Sequence, residues 1–513
     1  MERVSRAAWL TVAGAVAVLV LGLLVSGCGG GDDGGSDSAN FTGEGYPNGD
    51  PSNTRSTTGP IDSSTVSELE EAWSVPINAQ STFGSYASTP IVSKGVVYSQ
   101  DLESNVQAID LESGEVLWTK KYESPSHGPN GVVVQDGGVY GATGTGAFGL
   151  DQKTGKELWS VELTRNSTEG VDMAPGYHEG LVYVSTVPVT PAEFYAGGGV
   201  GILHALDAKT GKKVWSFDTV PKGLWGNPEV NSGGGLWYPP AFDEEGSMYF
   251  GTGNPGPIPG TPEFPYGSSR PGRNLYTDSL IKMDAKTGKM DWYYQQTPHD
   301  INDWDFQNPP ILAEVGGTEA VIGAGKSGFV VALDRDSGKV LWKKAVGKHN
   351  GTDDIGLETM NGKMPKKPVV LFPGALGGVI SPMATDGSLV FVPVINHSLT
   401  ILPSQEKTEN SPLTGELVAL EIDTGKVRWK HNFSSAPFGS TSVVNDLVFA
   451  TTYEGKVVAF DTSGGRELWE TSLPAGTNAG VTVSGDTLIT AAGVPVAQGQ
   501  LPEIVAYRLP GGE

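Results

Sequence analysis

The segment Thr297-Pro298-His299-Asp300-Ile301-Asn302-Asp303-Trp304-Asp305-Phe306 carries three carboxylates in six residues, with aromatics beside them. Such a run makes a poor turn and a poor ordinary strand. In an extended backbone Asp303 and Asp305 share one face and Trp304 takes the other. Two like charges that close are costly unless a cation sits between them or one holds a proton, so the pair suits a metal site or a base. Upstream, Tyr249-Phe250-Gly251-Thr252-Gly253-Asn254-Pro255 reads as a strand entering a glycine turn. The turn ends in Asn254, whose amide oxygen is a donor for a hard cation. Trp237 follows Gly233-Gly234-Gly235-Leu236, where the glycines leave room for a planar ligand on the indole. Gly325-Lys326-Ser327-Gly328 sets a cation on a turn at the head of Phe329-Val330-Val331-Ala332-Leu333. Each piece has a plain structural alternative: a core aromatic, an Asn chosen for its turn, a capping loop, a surface lysine. His299 reads as a hydrogen-bonding partner rather than a ligand.

The elements that position these residues come from a repeat. The pattern apolar-Asp-x-x-(Thr/Ser)-Gly-(Lys/Glu)-x-x-Trp ends at Trp118, Trp159, Trp215, Trp292 and Trp342, with looser copies ending at Trp429 and Trp469. Trp73 stands where an earlier copy's Trp belongs, and Ile504-Val505-Ala506-Tyr507 resembles a strand with no Trp after it. Each copy is strand, tight turn, strand: the Asp bonds backbone N–H groups and the Gly takes the positive-φ position. The repeated Trp is structural, a large ring packed between neighbouring sheets. The shortest Trp spacings match a four-stranded propeller blade of about 40–45 residues. Eight Trp positions predict an all-β, eight-bladed β-propeller, one domain over residues 41–513. The orphan N- and C-terminal strands would share a blade and close the ring without a free edge. The longer spacings are insertions, where function usually sits.

Arg3 and Arg6 precede an uncharged run from Ala7 to Val25, followed by Ser26-Gly27-Cys28. A basic start, an apolar run and small residues before the only Cys predict a lipoprotein signal over 1–27, with Cys28 lipidated. Residues 28–40 then form a flexible acidic spacer. The chain would be extracytoplasmic and tethered to a membrane. A net charge of −24 over 513 residues argues against nucleic acid, whose binders need a basic face. A single Cys excludes a disulfide framework, a thiolate zinc site and a C-x-x-C-H haem attachment.

The repeat, with Gly49-Asp50-x-x-x-Thr54-Arg55 at its entry, resembles the quinoprotein alcohol dehydrogenase family. That resemblance implies pyrroloquinoline quinone (PQQ) on the ring axis, with Trp237 as its floor and Lys326 in contact with the quinone. It implies a cation held by Glu193, Asn254 and Asp303, with Asp303 also the catalytic base. Asp305 resembles the added carboxylate of lanthanide-using members, so the cation is calcium or a lanthanide. The substrate is an alcohol or sugar-type hydroxyl, and electrons leave to a separate cytochrome or quinone. Pro129-Asn130-Gly131-Val132 keeps the family's Asn, assigning Asn130 to the cofactor, but loses its Arg. The adjacent Cys pair is absent, and Gly377-Gly378-Val379-Ile380 replaces a polar-Trp pair. Non-catalytic scaffold lipoproteins use similar blades, which leaves a scaffold or binding module as the alternative.

Overall fold

The computed structural model describes residues 44–189 and 197–511. The predicted leader, Cys28, the spacer 28–40 and Glu193 lie outside the described residues. In each repeat the turn closes as its residue types require. Asp110 Oδ1 accepts the Ser113 N–H at 2.8 Å, and Gly114 stands at φ +74°. Asp151, Asp207, Asp284 and Asp334 make the same bond at 2.7–2.9 Å.

The turn glycine has a second role that arises only between sheets. A Cβ on Gly211 would lie 2.6 Å from Trp159 Cε3, and Trp159 Nε1 donates to the Ala208 carbonyl at 2.8 Å. The same double contact joins Trp73 to Gly114 and Leu111, Trp118 to Gly155 and Gln152, and Trp215 to Gly288 and Ala285. It also joins Trp292 to Gly338 and Arg335, Trp342 to Gly425 and Ile422, and Trp429 to Gly465 and Thr462. Each repeated Trp therefore lies flat on the turn of the following unit. Trp469 instead meets Tyr507 edge-on at 5.8 Å.

The described strands form eight sheets of four or five strands and two short two-stranded ribbons. A representative sheet runs Ile91–Ser93, Val96–Gln100, Val106–Asp110, Val116–Lys120, all neighbours antiparallel. Its inner strands are buried while the outermost alternates towards solvent. Glu70–Pro76 pairs antiparallel with Glu503–Arg508, placing Trp73 opposite Ala506. Leu389–Ile401 and Lys407–Glu421 form a hairpin of 13- and 15-residue strands, longer than any other pair. This hairpin lies within the wide gap between Trp342 and Trp429. Among the described residues no helix is long and apolar enough to cross a membrane.

The turn contact makes a stability prediction. A methyl group added at Gly180 (φ +80°) would have nothing within 4 Å, whereas one added at Gly211 (φ +68°) would meet the Trp159 ring. Gly180→Ala then carries only the backbone strain of about 1 kcal/mol, and Gly211→Ala carries strain plus overpacking, about 1–3 kcal/mol more. Denaturant titration of both variants measures the difference, and equal losses would show that the Trp contact is not stabilising.

Candidate active site

Three of the predicted pieces meet through their backbones. The turn after strand Ser247–Gly251 bridges to the acidic segment, with the Phe306 N–H donating to the Thr252 carbonyl at 3.1 Å. The Lys326 N–H donates to the Asp305 carbonyl at 2.9 Å. Gly325 must be glycine here, because a Cβ would sit 2.0 Å from that carbonyl oxygen. The side chains then converge. Lys326 Nζ lies 2.6 Å from Asp305 Oδ2 and 3.1 Å from Asp303 Oδ2. The Asn254 N–H donates to Asp305 Oδ1 at 2.6 Å. Asp305 is fully buried, and burial pushes its pKa up to about 6 although Lys326 pulls it down. Asp303 is 8% exposed, and its Oδ1 has no hydrogen-bond partner.

The backbone across 303–305 is not extended throughout. Asp303 sits at φ +69°, in the left-handed region. The two carboxylates still reach one cation because Asp300 wraps the loop. Its Oδ1 accepts the Asn302 N–H at 2.7 Å and its Oδ2 the Trp304 N–H at 2.6 Å. The third carboxylate of the segment is thus a loop fastener, with burial pushing its pKa up to about 7. Trp304 points away and donates from Nε1 to the Pro373 carbonyl at 3.1 Å. His299 behaves as a hydrogen-bonding residue, its ring nitrogens meeting the Gly272 and Tyr266 carbonyls at 2.9 and 3.3 Å.

Trp237 is partly buried and lies beside this cluster. A Cβ on Gly253 would be 3.0 Å from Asp305 Oδ1 and 3.1 Å from Trp237 Nε1, so the glycine lets carboxylate and indole come together. Asn254 commits Nδ2 to the Pro255 carbonyl at 2.9 Å, which leaves Oδ1 as its ligating end. Asn130 stands apart from the lysine–carboxylate cluster. It lines an open cavity of about 450 Å³ with Ala174, Tyr238 and Ser440, and its Nδ2 donates to the Asp101 carbonyl at 2.6 Å.

Sequence reading missed several groups. Asp278 is fully buried at φ +52°, neither carboxylate oxygen has a hydrogen-bond partner, and burial holds its pKa well above the usual range. Asp300 and Asp305 push it further the same way. Nothing in Tyr276-Thr277-Asp278-Ser279 signals this, since its partners come from other segments. Lys407, on the long hairpin, is pushed down to about 7 by burial, against the pull of Asp303 and Glu409. The wide Trp342-to-Trp429 spacing was the available signal for that insertion.

These residues suit a hard cation and a flat ligand. The side-chain oxygens of Asp303, Asp305 and Asn254 are donors of the kind that calcium or a lanthanide takes. Among the described residues no group of three or more His, Cys, Asp or Glu side chains is arranged around a metal position. The set is therefore two carboxylates and an amide, with the Lys326 ammonium now balancing both carboxylates. The glycines around Trp237 let neighbouring protein groups pack closely, since a Cβ on Gly235 would sit 2.4 Å from Val187 Cγ1 and one on Gly233 2.3 Å from the Asn254 carbonyl oxygen.

Repeated antiparallel sheets joined by a Trp-on-turn contact, with a buried acid–lysine cluster among their loops, define a β-propeller carrying a polar site. Residues 175–346 match the family described as the glucose/ethanol/alcohol dehydrogenase β-propeller domain. Residues 70–187 and 379–504 match the family of the outer membrane protein assembly factor BamB. The first match contains Trp237, Asn254, Asp303, Asp305 and Lys326. The chain is 29% identical over 499 residues to the quinohemoprotein alcohol dehydrogenase of Comamonas testosteroni, covering 81% of this chain and 67% of the relative. The crystal structure of that Comamonas testosteroni enzyme superposes with a TM-score of 0.79 at 24% identity, over 93% of this chain and 82% of the other. A europium-containing methanol dehydrogenase gives 0.76 at 20% identity, over 90% and 97%. Over most of its length the chain is therefore similar to PQQ-dependent alcohol dehydrogenases, in sequence and in fold.

Asp278 offers a test of the buried electrostatics. Its raised pKa means the folded state keeps a proton that the unfolded carboxyl, at 3.8, has released. Stability therefore falls as pH rises through that interval, by about 1.4 kcal/mol per pH unit while the two states differ by one proton. Asp278→Asn matches the shape, tolerates the positive φ and removes the titration. Its stability advantage over the parent should grow as pH rises above the unfolded value of 3.8 in denaturant melts. A constant difference would contradict the assignment.

Proposed function

We propose that this chain is an extracytoplasmic quinoprotein dehydrogenase that oxidises an alcohol or sugar-type hydroxyl with PQQ and a calcium or lanthanide ion. The observation that carries the reading is the meeting of Asn254, Asp303, Asp305 and Lys326 beside Trp237, brought from four separate segments. A scaffold gains nothing from burying two carboxylates and a lysine, which cost desolvation energy. On this reading the eight sheets are eight blades of one domain over 41–513, and the sheet shared by the terminal strands closes the ring. Residues 1–27 are a signal peptide, and lipidated Cys28 with the spacer 28–40 tethers the domain to a membrane.

Trp237 offers the stacking face. Asn254 Oδ1, Asp303 and Asp305 hold the cation, joined by Glu193. Asp305, as an added carboxylate, favours a trivalent ion, and the europium-containing relative supports that choice. When bound, the metal-polarised quinone supplies the hydride acceptor. Asp303 accepts the substrate's hydroxyl proton at Oδ1, the oxygen left without a partner. Lys326 balances negative charge as it does now for the two carboxylates. Asn130 lines the cavity beside Tyr238, on the cofactor's side. Electrons pass to a separate cytochrome or quinone, and no nucleic acid is involved.

The test is reconstitution of residues 41–513 with PQQ and either calcium or europium, followed by dye reduction over alcohols and sugars. Asp303→Asn should retain PQQ and lose about 10²–10⁴-fold in turnover, the usual contribution of a general base. Asp305→Asn should weaken europium support more than calcium support. Turnover lost in Asp305→Asn but kept in Asp303→Asn would move the base to Asp305. Absence of PQQ binding with every metal would leave the scaffold or binding-module reading.

A further inference from the structure

The Trp237 indole has a second neighbour, at its six-membered ring. A Cβ on Gly128 would lie 3.0 Å from Trp237 Cζ3 and 2.7 Å from Asp172 Cβ, so the segment 126–128 is pressed between the two residues. Asp172 fastens that segment. Its Oδ1 accepts the His127 N–H at 2.8 Å and the Ser126 hydroxyl at 3.1 Å. Asp172 is 1% exposed, and its Oδ2 has no partner. Burial raises its pKa, while the His127 backbone and imidazole draw it back. Trp237 thus runs from Gly253 and Asp305 at its Nε1 edge to Gly128 and Asp172 at its six-membered ring.

A planar polycarboxylate lying on this indole needs hydrogen-bond donors or cations at both ends. At the first end Lys326 serves. At the second, the titratable side chain on the fastened segment is His127, which is partly exposed beside a buried carboxylate. Asp172 holds the His127 backbone amide, which keeps this ring N–H donor next in the chain to Gly128 at the indole.

We infer that His127 contacts a carboxylate group of the bound cofactor at the six-membered-ring end of Trp237, and that Asp172 is the positioning residue that holds it there. This rests on the reading of Trp237 as the floor of a PQQ site. It adds an anchoring point at the six-membered-ring end of the indole, three residues before Asn130 on the same loop.

The experiment is equilibrium dialysis of PQQ against the mature chain, with europium luminescence measured separately on the metal alone. His127→Ala should weaken PQQ about tenfold or more, the loss expected for one charge-assisted hydrogen bond, and leave europium affinity unchanged. His127→Arg should restore most of the affinity. Asp172→Asn should weaken PQQ in the parent but add little in the His127→Ala background, because it acts through His127. PQQ affinity unchanged in His127→Ala would overturn the inference while leaving the dehydrogenase reading intact. An undiminished Asp172→Asn effect in the His127→Ala background would overturn the positioning role. A parent chain that binds no PQQ would overturn the dehydrogenase reading itself, and this inference with it.

Discussion

The contact on which the architecture depends is an indole lying flat on a glycine turn. Each sheet alone has an apolar face that a single blade cannot cover. The Trp of one unit covers the turn of the next, and its Nε1 satisfies a carbonyl that the turn leaves exposed, as Trp159 does for Ala208. Both halves of the contact constrain residue type. The ring must carry an N–H, and the turn must lack a Cβ where the ring lands, as at Gly211. Repeating this seven times among the described residues sets neighbouring sheets at a common separation. It thereby fixes where the loops at the sheet ends meet.

Those loops can hold a polar site because the sheets are rigid. Lys326, Asp303 and Asp305 form a buried ion cluster, and such a cluster is costly to desolvate unless its geometry is close. Backbone contacts provide that geometry: the Lys326 amide to the Asp305 carbonyl, and the Asn254 amide to the Asp305 side chain. The left-handed Asp303 lies between the Asn302 and Trp304 amides that the Asp300 fastener holds. Tuning follows from the same burial. Asp305 and Asp278 are both raised, and the lysine that balances the first does not balance the second. Two neighbouring carboxylates are thus left in different electrostatic states by their partners.

Much of this was legible in residue order. The D-x-x-T-G turn carries its own hydrogen-bonding instructions, since Asp207 bonds a backbone N–H three residues ahead. The repeated Trp residues announced the sheets, and Trp237, after three glycines, stands outside that repeat. Asn254 and the 303/305 pair were visible because a carboxylate pair and a glycine–Asn turn are unusual locally. The left-handed turn at Asp303 was not legible, because Asp300 reaches its own neighbours' amides, a contact that alternation of faces does not anticipate. Asp278, Lys407 and Asp172 were invisible for a different reason. Each is ordinary in its local sequence and unusual only in its surroundings.

The sequence by itself determined what is written in local chemistry: turn closure, strand alternation, the position of each Trp and the residue types available for a hard-cation site. These depend on neighbours within a few positions, so a one-dimensional reading reaches them. The tertiary structure decided which side chains became partners across long separations. Lys326 meets Asp303 and Asp305, Gly253 admits Trp237 to Asp305, and Asp172 fastens the His127 segment. It also decided which carboxylates lost their water. Desolvation and convergence are properties of the packed whole, and no spacing in the chain encodes them.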